Sequence, residues 1–252
     1  MDLFDFANRA VSAPLAERMR PDTIEEFVGQ GHIVGGNSLL IRAIRSNTLG
    51  SCIFYGPPGT GKTTLSNIIA HTTKSHFEKL NAVSSGVADA KRVIEEAKDR
   101  LKMYDQKTYL LLDECHRWSK AQSDSVLGAI EQGYIVFVGS TTENPYATMT
   151  NAIVSRCRVF EFKRLLAEDI KKVLYRALTD KKRGLGNYKI DMDASAAEHF
   201  AFFAGGDLRN ALNALELAVL TTVPDGNGTI TIDKTAAEQS MQKKAMSIDE
   251  SA

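Results

Sequence analysis

The chain has 252 residues with Lys plus Arg at 31 and Asp plus Glu at 31, so no global basic field marks it as a nucleic-acid binder and any such contact must be local. Apolar residues make up 43% and charged ones 25%, enough to bury a core, and no uninterrupted apolar run approaches membrane-spanning length, which argues against a membrane role. The three cysteines, Cys52, Cys115 and Cys157, are far apart in or beside apolar segments with no Cys-x-x-Cys pair, which predicts buried thiols rather than a disulfide or metal framework.

The start, "MDLFDFANRA", has no basic stretch followed by an apolar core, so residues 1–13 read as a short tail and the protein as cytoplasmic. Docking of "MDLFDF" on a partner such as a sliding clamp is the alternative to a plain tail. From "CIFY" onward strand and helix alternate. "CIFY" runs into the Gly/Pro loop and amphipathic helix of "GPPGTGKTTLSNIIAHTT", followed by a strand near "FEKLNAV" and the charged helix "VADAKRVIEEAKDRLKMY". The strand "TYLLLD", a helix over "KAQSDSVLGAIEQG", the strand "YIVFVGST" and a short strand "RVFEF" complete the series. Alternation of this kind predicts a parallel sheet with helices on both faces, a three-layer α/β sandwich. After Phe162 the pattern is helix only: "AEDIKKVLYRALTDKK", "DASAAEHFAFFAGG" and "DLRNALNALELAVLTT", a small all-helical domain. "TVPDGNGTITI" reads as a turn and short strand, and the last residues begin a further helix. The expected division is a tail over 1–13, an α/β ATPase domain over 14–162, a helical lid over 163–235 and the start of a truncated C-terminal region over 236–252. The basic clusters at Lys171 and Lys172, at 180–184 and at 242–244 read as solvated charge or dipole complement.

The strongest chemical signal is "GPPGTGKTT", comprising Gly56, Pro57, Pro58, Gly59, Thr60, Gly61, Lys62, Thr63 and Thr64, which fits G-x-x-x-x-G-K-[ST] between an apolar strand and a helix. Glycines let the backbone curl so that successive N–H groups and the helix N-terminus point at phosphate oxygens, while Lys62 reaches the β and γ phosphates of ATP and Thr63 offers its hydroxyl to Mg2+. "LLLDE" is the expected partner: Asp113 holds the metal, directly or through water, and Glu114 orients and polarises the attacking water. His116 either joins the γ-phosphate network or is structural.

Read alone, "DECH" is the DExH box of a two-lobed helicase. The residues after it supply one strand, "YIVFVGSTTENP", and a helical domain, which is the layout of an AAA+ ATPase. In that superfamily a polar residue at the tip of the fourth strand reads the γ-phosphate; Thr142 resembles that sensor, with Thr141 the alternative. "SRC" resembles the clamp-loader motif whose arginine enters the neighbouring subunit's site, so Arg156 resembles an arginine finger acting in trans. "GGDLRNALNALE" resembles the second sensor on the lid, with Arg209 at the γ-phosphate in cis and Asp207 as a helix N-cap. "RMRPDTIEEFVGQGHIVG" resembles the adenine-wrapping segment of clamp loaders and branch-migration motors, which would place Val28, Gly29 and Gln30 in that pocket; an amphipathic turn packed on the sheet fits the same residues.

Together "PLAERMRP", "GPPGTGKTTL", "VSSGVADAKRVIEEA", "DECHRWSKAQSD", "GSTTENP", "DKKRGLG" and "GDLRNALNALE" are similar to the replication-associated recombination protein A family, relatives of the Werner-helicase-interacting ATPase. The resemblance runs from about Pro14 to about Glu238. It implies a DNA-stimulated, Mg2+-dependent ATPase at stalled forks, single-strand/double-strand junctions and duplex ends. It also implies links to single-strand-binding protein and the replisome, a nucleoid-associated location, and a homo-oligomer built through a C-terminal domain that this sequence lacks. Cys115 stands where the family has an aliphatic residue, Trp118 where it has Phe, and Cys157 where Ala is commoner; none removes a catalytic group. A clamp-loader subunit, a branch-migration motor and an ATP-gated scaffold at the replisome are the alternative functions.

Overall fold

The computed structural model describes residues 13–73 and 75–241. Two compact units divide it: one over Pro21–Arg164, the other formed by the described residues before Pro21 together with those from Leu165 onward.

The first unit is built on a five-stranded sheet. Its strands are β1 (Cys52–Tyr55), β2 (His76–Asn81), β3 (Thr108–Asp113), β4 (Ile135–Thr141) and β5 (Arg158–Glu161), in the order β2-β3-β4-β1-β5. Every pairing is parallel. Helices α1 (Leu39–Arg45), α2 (Lys62–Thr72), α3 (Val87–Tyr104) and α4 (Lys120–Glu131) cover it. A parallel sheet buried on both faces needs apolar side chains in both directions, and β3 shows the period-two split that results. Leu110 and Leu112 join Ile53 and Phe137 in one core with Val93, Ile94 and Ala97 of α3 and Val126 of α4. Tyr109 and Leu111 turn the other way, joining Phe54 and Val138 in a second core with Leu40, Ile41 and Ile44 of α1 and Leu65 and Ile69 of α2. These are the three layers expected.

α4 begins where Ser119 and Gln122 close a reciprocal capping box, and the Gln122 amide also donates to the Ser85 carbonyl at 3.1 Å, tying the start of α4 to the loop after β2. β1 lies between β4 and β5, so the chain leaves its C-terminal end where the strand order reverses. Open parallel sheets bind ligands at that crevice.

The second unit packs α5 (Ala167–Thr179), α6 (Ala194–Phe203), α7 (Leu208–Thr221) and α8 (Lys234–Ser240). Its core is rich in alanine. Ala196, Ala197 and Ala201 of α6 and Ala211, Ala214 and Ala218 of α7 are buried with Leu174, Phe200, Leu212 and Leu215. The helical lid expected from sequence is present, with one addition to the helix-only reading. β6 (Lys189–Met192) pairs in parallel with β7 (Thr229–Ile232), Ile190 opposite Ile230 and Met192 opposite Ile232. "KIDM" alternates over four residues only, too short to signal a strand, and its partner is far along the chain.

The boundaries also differ from the expected ones. A helical turn at Leu15–Arg18 belongs with the helical unit, not with the α/β domain. Leu15 and Met19 are buried. The Arg18 guanidinium donates to Glu216 Oε1 at 2.7 Å and to the Arg183 carbonyl at 2.7 Å, and the Leu15 N–H donates to Glu216 Oε2 at 2.9 Å. Nothing local in "PLAERMRP" announces a partner so distant in sequence. At the other end α8 crosses the expected limit at 235. Apart from Ala13, the tail over 1–13 with its "MDLFDF" segment lies outside the described residues, as do residues 242–252. Among the described residues no helix is long and apolar enough to cross a membrane.

Candidate nucleotide site

The loop between β1 and α2 is held by two glycines at which any side chain would be strained. Gly56 has φ +143°, and a Cβ there would stand 2.1 Å from the Phe162 carbonyl oxygen. Gly61 has φ +100° as N-cap of α2, and its Cβ would meet the Phe27 ring at 2.7 Å. No side chain caps α2, and helix dipole and loop amides together favour an anion at its start. Lys62, buried at 8% exposure, donates its ammonium to the carbonyls of Gly56 and Pro57, both at 2.7 Å. Thr60, also buried, braces the loop through a 2.8 Å bond to the Pro57 carbonyl.

The end of β3 stands beside this loop. Asp113 Oδ1 accepts from Thr63 Oγ1 at 3.3 Å and from the Ser140 hydroxyl. Thr63 and Asp113 therefore converge as a pair of hard oxygen ligands, a set that fits Mg2+, which takes few protein ligands and keeps water and phosphate oxygens for the rest. Ser140 is a member of the site that sequence reasoning misses; its only signal is a hydroxyl one position before the two threonines weighed as sensor. Glu114 comes next with φ +54°, an uncommon conformation for a residue with a side chain. That turn brings the chain off the sheet into a single 3-10 turn, Cys115–Arg117, and leaves the Glu114 side chain 37% exposed. At the tip of β4, the buried Thr141 hydroxyl bonds His116 Nδ1 at 2.8 Å and accepts from the Glu143 N–H at 3.0 Å, while Thr142 is exposed.

Lys62, Thr63, Asp113, Glu114, Thr141 and Thr142 therefore share the C-terminal edge of the sheet. Arg156 does not. It precedes β5, whose Arg158 lies opposite Cys52 at the start of β1, so it sits at the N-terminal edge. β1 alone separates that edge from Gly56 by about 13 Å at ~3.3 Å per residue. Arg156 pairs there with Glu131, its Nε at 2.8 Å from Oε1, beside a hollow of about 600 Å3 that includes Leu40, Thr48 and Ser51 in its lining. Arg209 lies in the helical unit, exposed on the first turn of α7, where Asp207 caps the helix by accepting from the Asn210 N–H at 3.2 Å.

Of the residues expected around the adenine, Val28 and Gly29 are half-buried and Gln30 is buried. The Gln30 amide is committed to the main chain: it donates to the Lys163 carbonyl at 2.7 Å and accepts from the Lys163 N–H at 2.9 Å. It ties the segment after β5 to the N-terminal wall of the loop. Of the thiols expected to be buried, Cys52 and Cys115 are, and burial pushes both far up; Cys157 is only half-buried, and the same cause pushes it up to about 12. A thiol held up by burial is a poor nucleophile.

A family profile described as "Holliday junction DNA helicase RuvB P-loop domain" matches residues 19–156, and one described as "AAA C-terminal domain" matches 186–252. Among curated proteins, the chain is 46% identical to replication-associated recombination protein A of Bacillus subtilis strain 168, over 94% of this chain and 55% of the relative. It is 41% identical to the protein of that name in Escherichia coli strain K12, over 89% of this chain and 50% of the relative. Dictyostelium discoideum ATPase WRNIP1 is 41% identical over 82% of this chain and 23% of its own. The chain thus spans about half the length of the bacterial relatives it matches. Among solved structures, the Thermotoga maritima RuvB Holliday junction branch migration motor superposes with a TM-score of 0.71 at 24% identity, covering 88% of this chain and 72% of that one. At that identity the likeness shows the fold.

Proposed function

From a chain that belongs to the RuvB-type AAA+ P-loop ATPases, and within them to the replication-associated recombination protein A family, we propose a DNA-stimulated enzyme that hydrolyses ATP on replication intermediates. Its substrates are stalled forks, single-strand/double-strand junctions and duplex ends. The observation that carries the mechanism is the split of the charged groups between the two edges of one sheet. The loop, Lys62, Thr63, Asp113 and Glu114 stand at one edge and Arg156 at the other, too far away to serve its own subunit's loop.

Lys62 exchanges its two carbonyl partners for β- and γ-phosphate oxygens, and the N–H groups of α2 take the remaining negative charge. Thr63 and Asp113 would hold Mg2+, which would supply charge neutralisation at the phosphates. Glu114 accepts a proton from the water whose oxygen bonds to the γ-phosphorus as the bond to the bridging oxygen breaks, giving ADP and phosphate. Thr142 reads the γ-phosphate. It is exposed at the edge of the site, whereas the Thr141 hydroxyl is committed to His116 and Glu143. The resemblance gives Arg209 the role of the second sensor, and Val28, Gly29 and Gln30 wall the adenine. Arg156 of a neighbouring copy neutralises charge developing in the transition state, which makes the working form a homo-oligomer. Because the relatives carry replication-associated recombination in their names, forked DNA is the expected effector, with single-strand-binding protein and replisome components as partners in a nucleoid-associated setting.

The test is phosphate release per subunit against protein concentration, with and without forked DNA. The rate should rise with assembly and with DNA; Glu114→Gln should keep nucleotide affinity and lose about a hundredfold or more in turnover, and Arg156→Ala should spare binding and slow hydrolysis by about a thousandfold. A per-subunit rate independent of concentration would exclude the trans site. Stimulation by four-way junctions alone, or by a sliding clamp with primed DNA, would instead assign the chain to a branch-migration motor or a clamp loader. Binding without multiple turnover would make it a nucleotide-gated scaffold.

A further inference from the structure

We propose that His116 is a positioning residue that couples the tip of β4 to Glu114, so that the strand reading the nucleotide also sets the orientation of the carboxylate that takes the proton. The inference rests on the reading of Glu114 given above.

His116 is only 8% exposed, and its ring lies among three oxygen groups. Nδ1 is 2.8 Å from Thr141 Oγ1 and 3.5 Å from Glu114 Oε2, and Nε2 is 3.6 Å from Glu143 Oε1. For the neutral ring, one arrangement of protons uses the shortest of these contacts. Thr141 Oγ1 already accepts the Glu143 N–H at 3.0 Å and has one hydrogen of its own to give, to His116 Nδ1 at 2.8 Å or at greater length to the Glu143 carbonyl at 3.5 Å. When that hydroxyl donates to Nδ1, the ring carries its proton on Nε2, facing the Glu143 carboxylate, and each polar group has a complement. In that arrangement the single Nδ1 lone pair is taken by the Thr141 hydrogen and the ring offers Glu114 no donor, which leaves the Glu114 carboxylate free for water. Were the Thr141 hydroxyl to swing away, Nδ1 would lose its donor and take a proton from water, and Glu114, already within 3.5 Å, is the acceptor beside the new N–H; that proton returns to water when the hydroxyl swings back. One hydroxyl at the strand tip therefore decides whether Glu114 is released or held.

The backbone favours this coupling. The left-handed conformation of Glu114 and the 3-10 turn after it fold His116 back over the end of β4, and Arg117 closes the turn by donating to the Glu114 carbonyl at 2.9 Å. The same strand tip reaches the other carboxylate, because Ser140 donates to Asp113. β4 thus touches both acids of β3, Asp113 directly and Glu114 through an imidazole.

Thr141→Val keeps the shape of the side chain and removes the hydroxyl, and His116→Gln keeps an amide in place of the ring. Each should lower kcat about tenfold while KM for ATP and the affinity for a fluorescent ATP analogue change less than twofold. Thr141→Ser should restore wild-type kcat. The double variant His116→Gln/Thr141→Val should be no slower than the slower single one, as expected for two members of one relay. Wild-type turnover in both singles, multiplicative losses in the double, or equal losses in kcat and nucleotide affinity would each overturn the coupling. Glu114→Gln is measured alongside. If it turns over normally, the assignment of Glu114 has failed; if it is dead while His116→Gln is normal, only the relay has.

Discussion

The two units of this chain use their polar groups in opposite ways. In the α/β unit the end of β1, a helix without a side-chain cap and the last residues of β3 and β4 are turned to one edge, where a lysine leans on loop carbonyls and Asp113 on two hydroxyls. In the helical unit the strongest polar contacts hold the unit itself together. Arg18 and Glu216 anchor the N-terminal turn, Asp180 gathers the N–H groups of Lys182 and Arg183, and Asp207 caps α7. Polar groups arranged for a ligand and polar groups arranged for the fold should respond differently to the same kind of substitution.

The largest effect expected is at Gly56. Gly56→Ala puts a methyl group 2.1 Å from a carbonyl oxygen at φ +143°, and denaturant unfolding should show a loss of about 3 kcal/mol or more for the α/β unit. Next, Arg18→Ala and Lys62→Ala set the two uses of a cation, the first half-buried and the second buried, against each other. Arg18→Ala strands a Glu216 carboxylate that is 19% exposed and should destabilise the helical unit by about 2 kcal/mol, seen as faster amide exchange in α7. Lys62→Ala should abolish nucleotide binding by calorimetry with a smaller shift in Tm. Equal Tm losses in the two variants would dissolve the contrast.

A smaller effect concerns acid. The Arg183 and Lys182 N–H groups and the Arg183 side chain hold Asp180 below the ordinary carboxylate range. A depressed folded value means the stabilisation is complete above the unfolded value of about 4 and is lost as pH falls through the folded one. Asp180→Asn should therefore be less stable than wild type at pH 7, with the gap closing below about pH 4. The smallest is Trp118→Phe. The indole Nε1 is buried with no hydrogen-bond partner among the described residues, so losing part of the ring is offset by removing an unpaired donor, and stability should change by less than about 1 kcal/mol.

Much of the α/β unit is legible in the sequence because its signals are local. "CIFY" and "TYLLLD" are the observed β1 and β3 to the residue, and the Gly-rich loop leads directly from the first of them into α2. Glycines and apolar runs declare themselves within a few residues, whereas partners brought together by folding do not. Ser140 on Asp113, Gln30 on Lys163, Arg18 on Glu216 and β6 beside β7 all join distant positions, and none of those residues has a type or spacing that demands its partner. His116 shows the boundary clearly: its place after Asp113 and Glu114 is visible in the sequence, but not that Thr141 meets its ring.

The resting place of the Lys62 ammonium bears on selectivity. A cation already lodged against two carbonyls of its own loop will leave only for a guest whose anionic chain extends far enough to replace both, and a single phosphate attached to a nucleoside stops short of the position that Lys62 serves. A nucleoside with fewer linked phosphates should therefore bind more weakly than a triphosphate, whatever its base.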